Sequence, residues 1–301
     1  MNPDMSGMLA DDLLDPKNDY VFKRVFGEDP ELLLCLINDL RPDSPEVRAL
    51  EILNPGINAE ELRGKYIVLD VLARDEAGHG YNIEIQVRRY GAWHQRGLYY
   101  LARMLGQQLA QGEDYGTLRA AVGIHLLDFD LFTATPAQCA QAVWRFEMRD
   151  ALQPHITLGN LLQLSLIELK KADRLKLGSD SLTARVTFFE HWREEKRMSE
   201  IEHAPIREAM SRVRRLSADE EARRLAFVRE RALRDEMSLL QEARDKGLEE
   251  GREAGRLQAR RASALEMVLD GHLDDATIAR YSGLSLEEIS SLRQMQPLSQ
   301  H

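Results

Sequence analysis

The chain has 301 residues, of which 44% are hydrophobic, and a formal net charge of −10 at pH 7. This length suits one sizeable core with an extension, or two modest domains. The acidic balance argues against a protein that coats nucleic acid through bulk electrostatics, and no run approaches the ~20 apolar residues of a membrane helix. No basic or apolar signal segment precedes Asp15, so we expect cytoplasmic residence without membrane association.

The first clear helix signal lies at Asp29. Asp29 is a typical N-cap, Pro30 suits the first helical position, and Glu31 complements the positive end of the helix dipole. Leucines and an isoleucine follow at helical spacing until Pro42. The pattern predicts a helix that ends before Pro42, and then a short strand around residues 51–53.

Two runs rich in β-branched and aromatic residues, 66–73 and 81–87, flank a short turn that contains Gly and Asp. This pattern predicts an antiparallel hairpin. In the register that leaves a tight turn, Asp70 lies across from Glu84, and Gln86 follows on the same face. Opposed Cβ atoms lie about 4.5–5.5 Å apart, where like charges repel. A hard cation such as Mg²⁺, which binds carboxylates and water, would offset that repulsion.

The elements after the hairpin alternate between helix and strand. Apolar positions predict an amphipathic helix over residues 93–109, stopped near Gly112. Three further strand candidates follow at residues 121–127, 143–148 and 161–169. After about residue 181 the chain reads as helical, and residues 206–261 are dense in Arg and Glu, as expected for a solvated or oligomeric helix. This order predicts an α/β fold.

The last segment, from Ala264 onward, has the outline of three short helices with a sharp turn, similar to a helix-turn-helix. Its helix at residues 285–293 carries two glutamates and one arginine, a poor surface for a phosphate backbone. For this segment we therefore favour a role in packing or oligomerisation over sequence-specific DNA binding. Gly247, Gly251 and Gly255 recur in charged surroundings, which favours a weak, flexible helical extension over a packing seam.

The opening and the hairpin together resemble a known family. The opening runs from Asp15 to Lys23, in the order Asp-Pro-Lys-Asn-Asp-Tyr-Val-Phe-Lys, and Phe26-Gly27 follows. With the Asp of one strand and the Glu-x-Gln of the next, it resembles the Rpn family of recombination-promoting nucleases and putative transposases, within the PD-(D/E)XK nuclease superfamily. Residues 15–130 carry the specific resemblance, and the tail carries a weaker compositional one.

The resemblance implies a restriction-endonuclease-like mixed sheet flanked by helices, followed by a helical C-terminal extension. We therefore divide the chain into three predicted parts. These are a nuclease-like domain at residues 1–200, a charged helical extension at residues 201–260, and a small helix-turn-helix-like segment at residues 261–301.

The resemblance also implies the catalytic and metal-binding residues. Asp70 and Glu84 would bind Mg²⁺, with Mn²⁺ as a substitute, and the main-chain carbonyl of Ile85 would be a further ligand. Gln86 occupies the position of the superfamily's lysine, whose positive charge a glutamine amide does not supply. The candidates for the missing cation are Lys65, Lys17 and Lys23.

Five residues after the hairpin are expected to contact DNA. Arg88, Arg89 and Arg96 would contact flanking phosphates. Gln95 and Tyr99 match a Gln-x-x-x-Tyr pattern found on the helix after the site in some nucleases of the superfamily, and Tyr99 would stack on bases or simply pack. Because neighbours in a strand face opposite ways, at least one of Arg88 and Arg89 is expected to be an exposed strand-end charge.

These observations leave three hypotheses about function. The first is a metal-dependent DNA endonuclease, linked by the resemblance to DNA recombination or mobile elements. The second is a catalytically weakened nuclease fold that forms a homo-oligomer or binds a partner through its helical tail. The third is a transcription regulator that uses residues 261–301, which ranks last because that segment is acidic.

Overall fold

A computed structural model of the chain describes residues 13–42, 44–54, 70–89, 93–176 and 180–294. The chain forms two compact units, residues 1–233 and residues 234–301. The nuclease-like domain was expected to end at residue 200, whereas the first unit continues to residue 233.

The first unit contains a mixed sheet of six strands. The strands are β1 (Leu50–Ile52), β2 (Val71–Asp75), β3 (Gly80–Gln86), β4 (Ala121–Leu127), β5 (Val143–Glu147) and β6 (Leu162–Glu168). Their order is β1-β2-β3-β4-β6-β5. The β3–β4 and β4–β6 pairs are parallel, and the β1–β2, β2–β3 and β5–β6 pairs are antiparallel. The sheet confirms the predicted α/β class and its restriction-endonuclease-like mixed topology.

Helices flank this sheet. Those that lie wholly in the first unit are α1 (Asp19–Phe26), α2 (Pro30–Leu40), α3 (Trp93–Gly106), α4 (Pro136–Cys139), α5 (Leu169–Leu175), α6 (Asp180–His191), α7 (Glu195–Glu200) and α8 (Ala204–Ala218). The 51-residue α9 (Glu220–Asp270) begins in the first unit and continues into the second. No helix in the described part of the chain combines the length and apolarity needed to cross a bilayer.

The predicted hairpin is present. The turn between β2 and β3 is closed by Asp75, whose backbone N–H donates to the carbonyl of His79 at 3.1 Å. Asp75 also accepts a hydrogen bond from the hydroxyl of Tyr81 at 3.0 Å. Gly78 has a φ of +87°, which glycine adopts without strain. The observed pairing includes Val71 with Ile83. This register, continued by one residue, places Asp70 across from Glu84.

The core between the sheet and the first helices is strongly aromatic. α1 was not predicted from the sequence, yet it buries Phe22 and Phe26 completely. Their ring centroids lie 5.0 Å apart, and both rings are within about 6 Å of Phe189 on α6. Offset and tilted aromatic pairs of this kind add stability beyond their buried area. α1, which carries part of the family-like opening, is therefore fixed in the core.

Close contact between α3 and β4 depends on small residues. A Cβ added at Gly123 of β4 would lie 2.8 Å from Leu164 and 3.2 Å from Leu101 of α3, and a Cβ at Gly97 of α3 would lie 3.3 Å from His125. The predicted end of this helix at residue 109 is wrong, because α3 ends at Gly106. The side chain of Gln108, just beyond it, instead bonds both the N–H and the carbonyl of Arg119.

The second unit comprises the later part of α9, α10 (Asp275–Ser282) and α11 (Leu286–Gln294). A small core joins these helices, formed by Ala264, Val268, Ile278, Leu284 and Ile289. Gly283 has a φ of +70° and ends α10. Of the three short helices expected here, the first is the end of the long α9. Gly247, Gly251 and Gly255 lie inside this helix.

Candidate active site

The site is built on one face of the β2–β3 hairpin. Asp70 precedes β2, and its carboxylate accepts a hydrogen bond from the side-chain amide of Asn82. Asn54 holds the backbone around Asp70, because it donates to the Asp70 carbonyl at 3.1 Å and accepts from the N–H of Leu72 at 2.7 Å. Asn82 and Glu84 are two residues apart in β3 and therefore point to the same face. The two acids thus lie on one side of the hairpin.

Asp70 is half-buried, and partial burial raises the pKa of its carboxyl group above the ordinary value of 3.8. The positive charge of Lys23, the hydrogen bond from Asn82 and the charge of Arg96 oppose this rise. Lys23 lies on α1, and it is only 4% exposed. The structure therefore brings one of the three proposed cations close to Asp70.

Glu84 has the more strongly perturbed carboxyl group. Burial raises its pKa from 4.5 to about 7, and the positive charge of Arg96 and a hydrogen bond from Gln86 oppose the rise. The negative charges of Asp70 and Asp19 raise the pKa further. A carboxyl group whose pKa is shifted by burial and by neighbouring acids is a typical feature of a functional site.

Asp19 is a further acid whose charge reaches Glu84, and it lies next to the N-terminal cap of α1. The cap itself is Asn18, whose side-chain oxygen accepts from the N–H groups of Tyr20 and Val21. Asp19 lies in the first turn of α1, and its carboxylate is bound by Arg229 of α9 at 2.7–3.0 Å. Asp19 therefore contributes charge to the site while it holds the start of α9.

A second residue that sequence reasoning missed is His125. It stands opposite Glu84 in the parallel pairing of β3 with β4, and its Nδ1 lies 4.0 Å from a carboxylate oxygen of Glu84. Burial and, to a smaller extent, the charge of Arg96 lower the pKa of His125 to about 4. The imidazole is therefore neutral near pH 7. The position of His125 opposite Glu84 depends on the pairing of β3 with β4, which the local sequence does not reveal.

The remaining predicted catalytic residues lie within β3. Gln86 is buried and donates to the carboxylate of Glu84, which favours an orienting role over a solvated strand face. The side chain of Ile85 is buried in the main core, and Ile85 pairs with Leu126. Its neighbours Glu84 and Gln86 point to the opposite face, as the alternation of a strand requires.

The predicted DNA-binding residues separate into two groups. Arg89, Gln95 and Tyr99 are exposed, and Tyr99 is 61% accessible. Arg88 and Arg96 are only partly exposed. Arg88 donates a hydrogen bond to the main-chain carbonyl of Leu233 in α9.

Of the three candidate replacements for the superfamily lysine, Lys17 is engaged elsewhere. Its ammonium group contacts Asp128 at 3.0 Å and Glu190 at 3.2 Å. Lys65 lies outside the described residues. Of the two that the structure describes, Lys23 is the one whose charge acts on a candidate site acid, Asp70.

The donor set fits a hard divalent cation. Asp70 and Glu84 offer carboxylate oxygens, which Mg²⁺ prefers, and the negative charge of Asp70 contributes to the raised pKa of Glu84. Among the described residues, no group of three or more His, Cys, Asp and Glu side chains is placed to hold a metal ion. A cation bound here would therefore keep water or main-chain oxygens as its other ligands, as Mg²⁺ commonly does.

Comparison with known proteins gives one match. Residues 16–243 fit the family model described as PD-(D/E)XK nuclease family transposase. Searches of curated proteins and of solved structures found no match. The matched span contains the hairpin acids, α1 and α3, and it confirms the resemblance inferred from the opening motif and the hairpin. Because the model covers most of the chain, this protein belongs to the PD-(D/E)XK nuclease family transposases.

Proposed function

We propose that this protein is a metal-dependent DNA endonuclease that hydrolyses phosphodiester bonds, with Mg²⁺ as its cofactor and Mn²⁺ as a substitute. Its family membership supports a nuclease-like function. The observation that carries the finer proposal is the pair of acids on one face of the hairpin, the half-buried Asp70 and the buried Glu84, both with raised pKa values. A connection with DNA recombination or mobile elements follows from the transposase family alone.

Asp70, Glu84 and the carbonyl of Ile85 would hold the metal ion. When bound, the metal would polarise the phosphoryl group and supply an activated water. The protein's own side chains orient the two carboxylates and balance their charge. Gln86 and Asn82 fix the two carboxylates by hydrogen bonds, which narrows the range of geometries that the acids sample.

DNA would approach from the side of α3. Arg89, Gln95 and Tyr99 are exposed there or just before it, and they offer a charge, an amide and an aromatic face to a nucleic acid strand. Arg88 and Arg96 would contact phosphates nearer the site. No base-specific readout follows from these side chains.

A plasmid-nicking assay tests the proposal. Wild type, Asp70→Asn and Glu84→Gln are incubated with supercoiled plasmid, with Mg²⁺ and separately with a chelator. We expect only the wild-type protein to nick the plasmid, and only in the presence of Mg²⁺. Each substitution removes one anionic ligand of the metal ion. Glu51→Gln is the matched control, since Glu51 is an exposed acid on the edge strand β1. It should nick like wild type.

A second candidate function rests on Gln86, which replaces a charged lysine and already donates to Glu84. In this alternative the nuclease fold is catalytically weakened, and it forms a homodimer or binds a partner through the helical C-terminal region. Absence of metal-dependent nicking, with a dimeric mass in light scattering, would favour it. Nicking that is equal in wild type and in the two acid variants would indicate a contaminating nuclease.

A further inference from the structure

Arg96 lies in the first turn of α3, and its positive charge acts on both hairpin acids. The next residue, Gly97, packs so closely on β4 that an added Cβ would lie 3.3 Å from Cε1 of His125. His125 in turn stands opposite Glu84 in the sheet. The first turn of α3 is thus held against the part of the sheet that carries Glu84.

The guanidinium group of Arg96 has an unused donor. Its Nη2 atom is buried, and it makes no hydrogen bond to any residue that the structure describes. Its Cζ lies 5.7 Å from the centre of the Tyr100 ring, one helical turn further along α3. A buried donor without an acceptor costs free energy, and a phosphate oxygen is the acceptor that a guanidinium group binds best.

The charge of Arg96 acts on both acids. It is the strongest favourable charge on Glu84, and it also acts on Asp70, where Lys23 has the larger effect. Lys23 is almost completely enclosed at 4% exposure, whereas Arg96 is partly exposed. Arg96 therefore combines, within the described part of the chain, a charge that acts on both acids with a partly exposed side chain.

We propose that Arg96 is a catalytic residue, and that its guanidinium group stabilises the negative charge that develops on the phosphoryl oxygens. Gln86, which occupies the position of the superfamily's lysine, has no charge with which to do this. This inference rests on the nuclease function proposed above. It assigns to Arg96 a role different from contact with flanking phosphates, because its target is the phosphate that reacts.

The reaction to which Arg96 contributes is a simple hydrolysis. The oxygen of a water molecule forms a bond to phosphorus, and the bond between phosphorus and one ester oxygen breaks. The water loses a proton to solvent, and the departing oxygen gains one from solvent. Arg96 transfers no proton, because a guanidinium group stays protonated throughout. It contributes two N–H donors and a fixed positive charge.

The test separates catalysis from binding. Nicking of supercoiled plasmid is measured with Mg²⁺ at saturating protein, and the Kd for a fluorescein-labelled duplex is measured by anisotropy with Ca²⁺. For Arg96→Met we expect the saturated nicking rate to fall about 100-fold, the effect of losing one oxyanion donor, with only a small rise in Kd from the lost phosphate contact. Arg96→Lys should recover part of the rate, since an ammonium keeps the charge but lacks the planar fork.

Arg103→Met is the matched control, because Arg103 is an exposed arginine on the same helix. It should retain the wild-type nicking rate. If Arg96→Met does not fold, as judged by its melting curve, Arg96→Gln replaces it with the same expectations. A variant that nicks at the wild-type rate, or that loses rate only through a weaker Kd, would overturn the role of Arg96. A wild-type protein that never nicks would instead overturn the proposed function itself.

Discussion

Glu84→Gln is expected to stabilise the fold at alkaline pH and to do little at acidic pH. In the folded protein burial raises the pKa of Glu84 from 4.5 to about 7. Below pH 4.5 the carboxyl group is protonated in both the folded and the unfolded chain, so it has no effect on stability. Between pH 4.5 and 7 the unfolded chain releases the proton first, and the free energy of unfolding falls. Above pH 7 both chains have released the proton, and the free energy of unfolding falls no further.

The magnitude follows from the difference between the two pKa values. Each tenfold difference in proton affinity corresponds to ~1.4 kcal/mol, so the rise from 4.5 to about 7 costs ~3 kcal/mol at pH 8. At pH 5 the same relation gives less than ~1 kcal/mol. Glu84→Gln removes the ionisable group and keeps its shape, so it should remove this cost.

The assay is urea denaturation of wild type and Glu84→Gln at pH 5 and pH 8, in the presence of a chelator. The free energy of unfolding of the variant should exceed that of wild type at pH 8 by clearly more than at pH 5. Glu51→Gln, at an exposed position on β1, controls for a general effect of lost negative charge. An equal difference at both pH values, or a less stable variant at pH 8, would refute the reasoning.

Three further predictions concern stability. Lys171→Met should lower the free energy of unfolding by ~3–5 kcal/mol in urea denaturation, because it leaves the fully buried Glu168 without its cation; a loss below ~1 kcal/mol, as for an exposed ion pair, would contradict this. Asn18→Ala should cost ~1–2 kcal/mol through loss of the α1 cap, and an unchanged urea midpoint would argue against the cap. Mg²⁺ at ~100 times its Kd should stabilise wild type by ~2.7 kcal/mol, seen as a higher melting temperature, and should leave Asp70→Asn unchanged; equal shifts in the two proteins would speak against Asp70 as a ligand.

The hairpin was predictable because its information is local. Alternation of apolar residues and a short Gly-containing turn indicate both the pairing and the register, and the observed pairs agree. Asn82 could have been found by the same alternation, since it shares a face with Glu84. The helix at Asp29 was predictable for a similar reason, because its cap and its proline are adjacent in sequence.

The other parts of the site depend on contacts between distant segments. His125 faces Glu84 because β3 and β4 pair in parallel, and the register of a parallel pair is set by packing that no short pattern encodes. The bond between Asp19 and Arg229 joins residues 210 positions apart. Arg96 was expected to contact DNA because it is a basic residue that follows the hairpin, whereas its unused buried donor appears only when α3 lies on the sheet.

The contacts made by the beginning of α9 have a practical consequence for anyone who shortens this chain. Asn18 donates to the carbonyl of Ala226, Arg229 neutralises Asp19, and Leu233 accepts from Arg88. A fragment cut at residue 200 would lose all three partners and leave an acid near Glu84 uncompensated, so its inactivity would reveal nothing about chemistry. A fragment that ends after Leu233 keeps them, and it is the shortest version in which failure to cleave DNA would be informative.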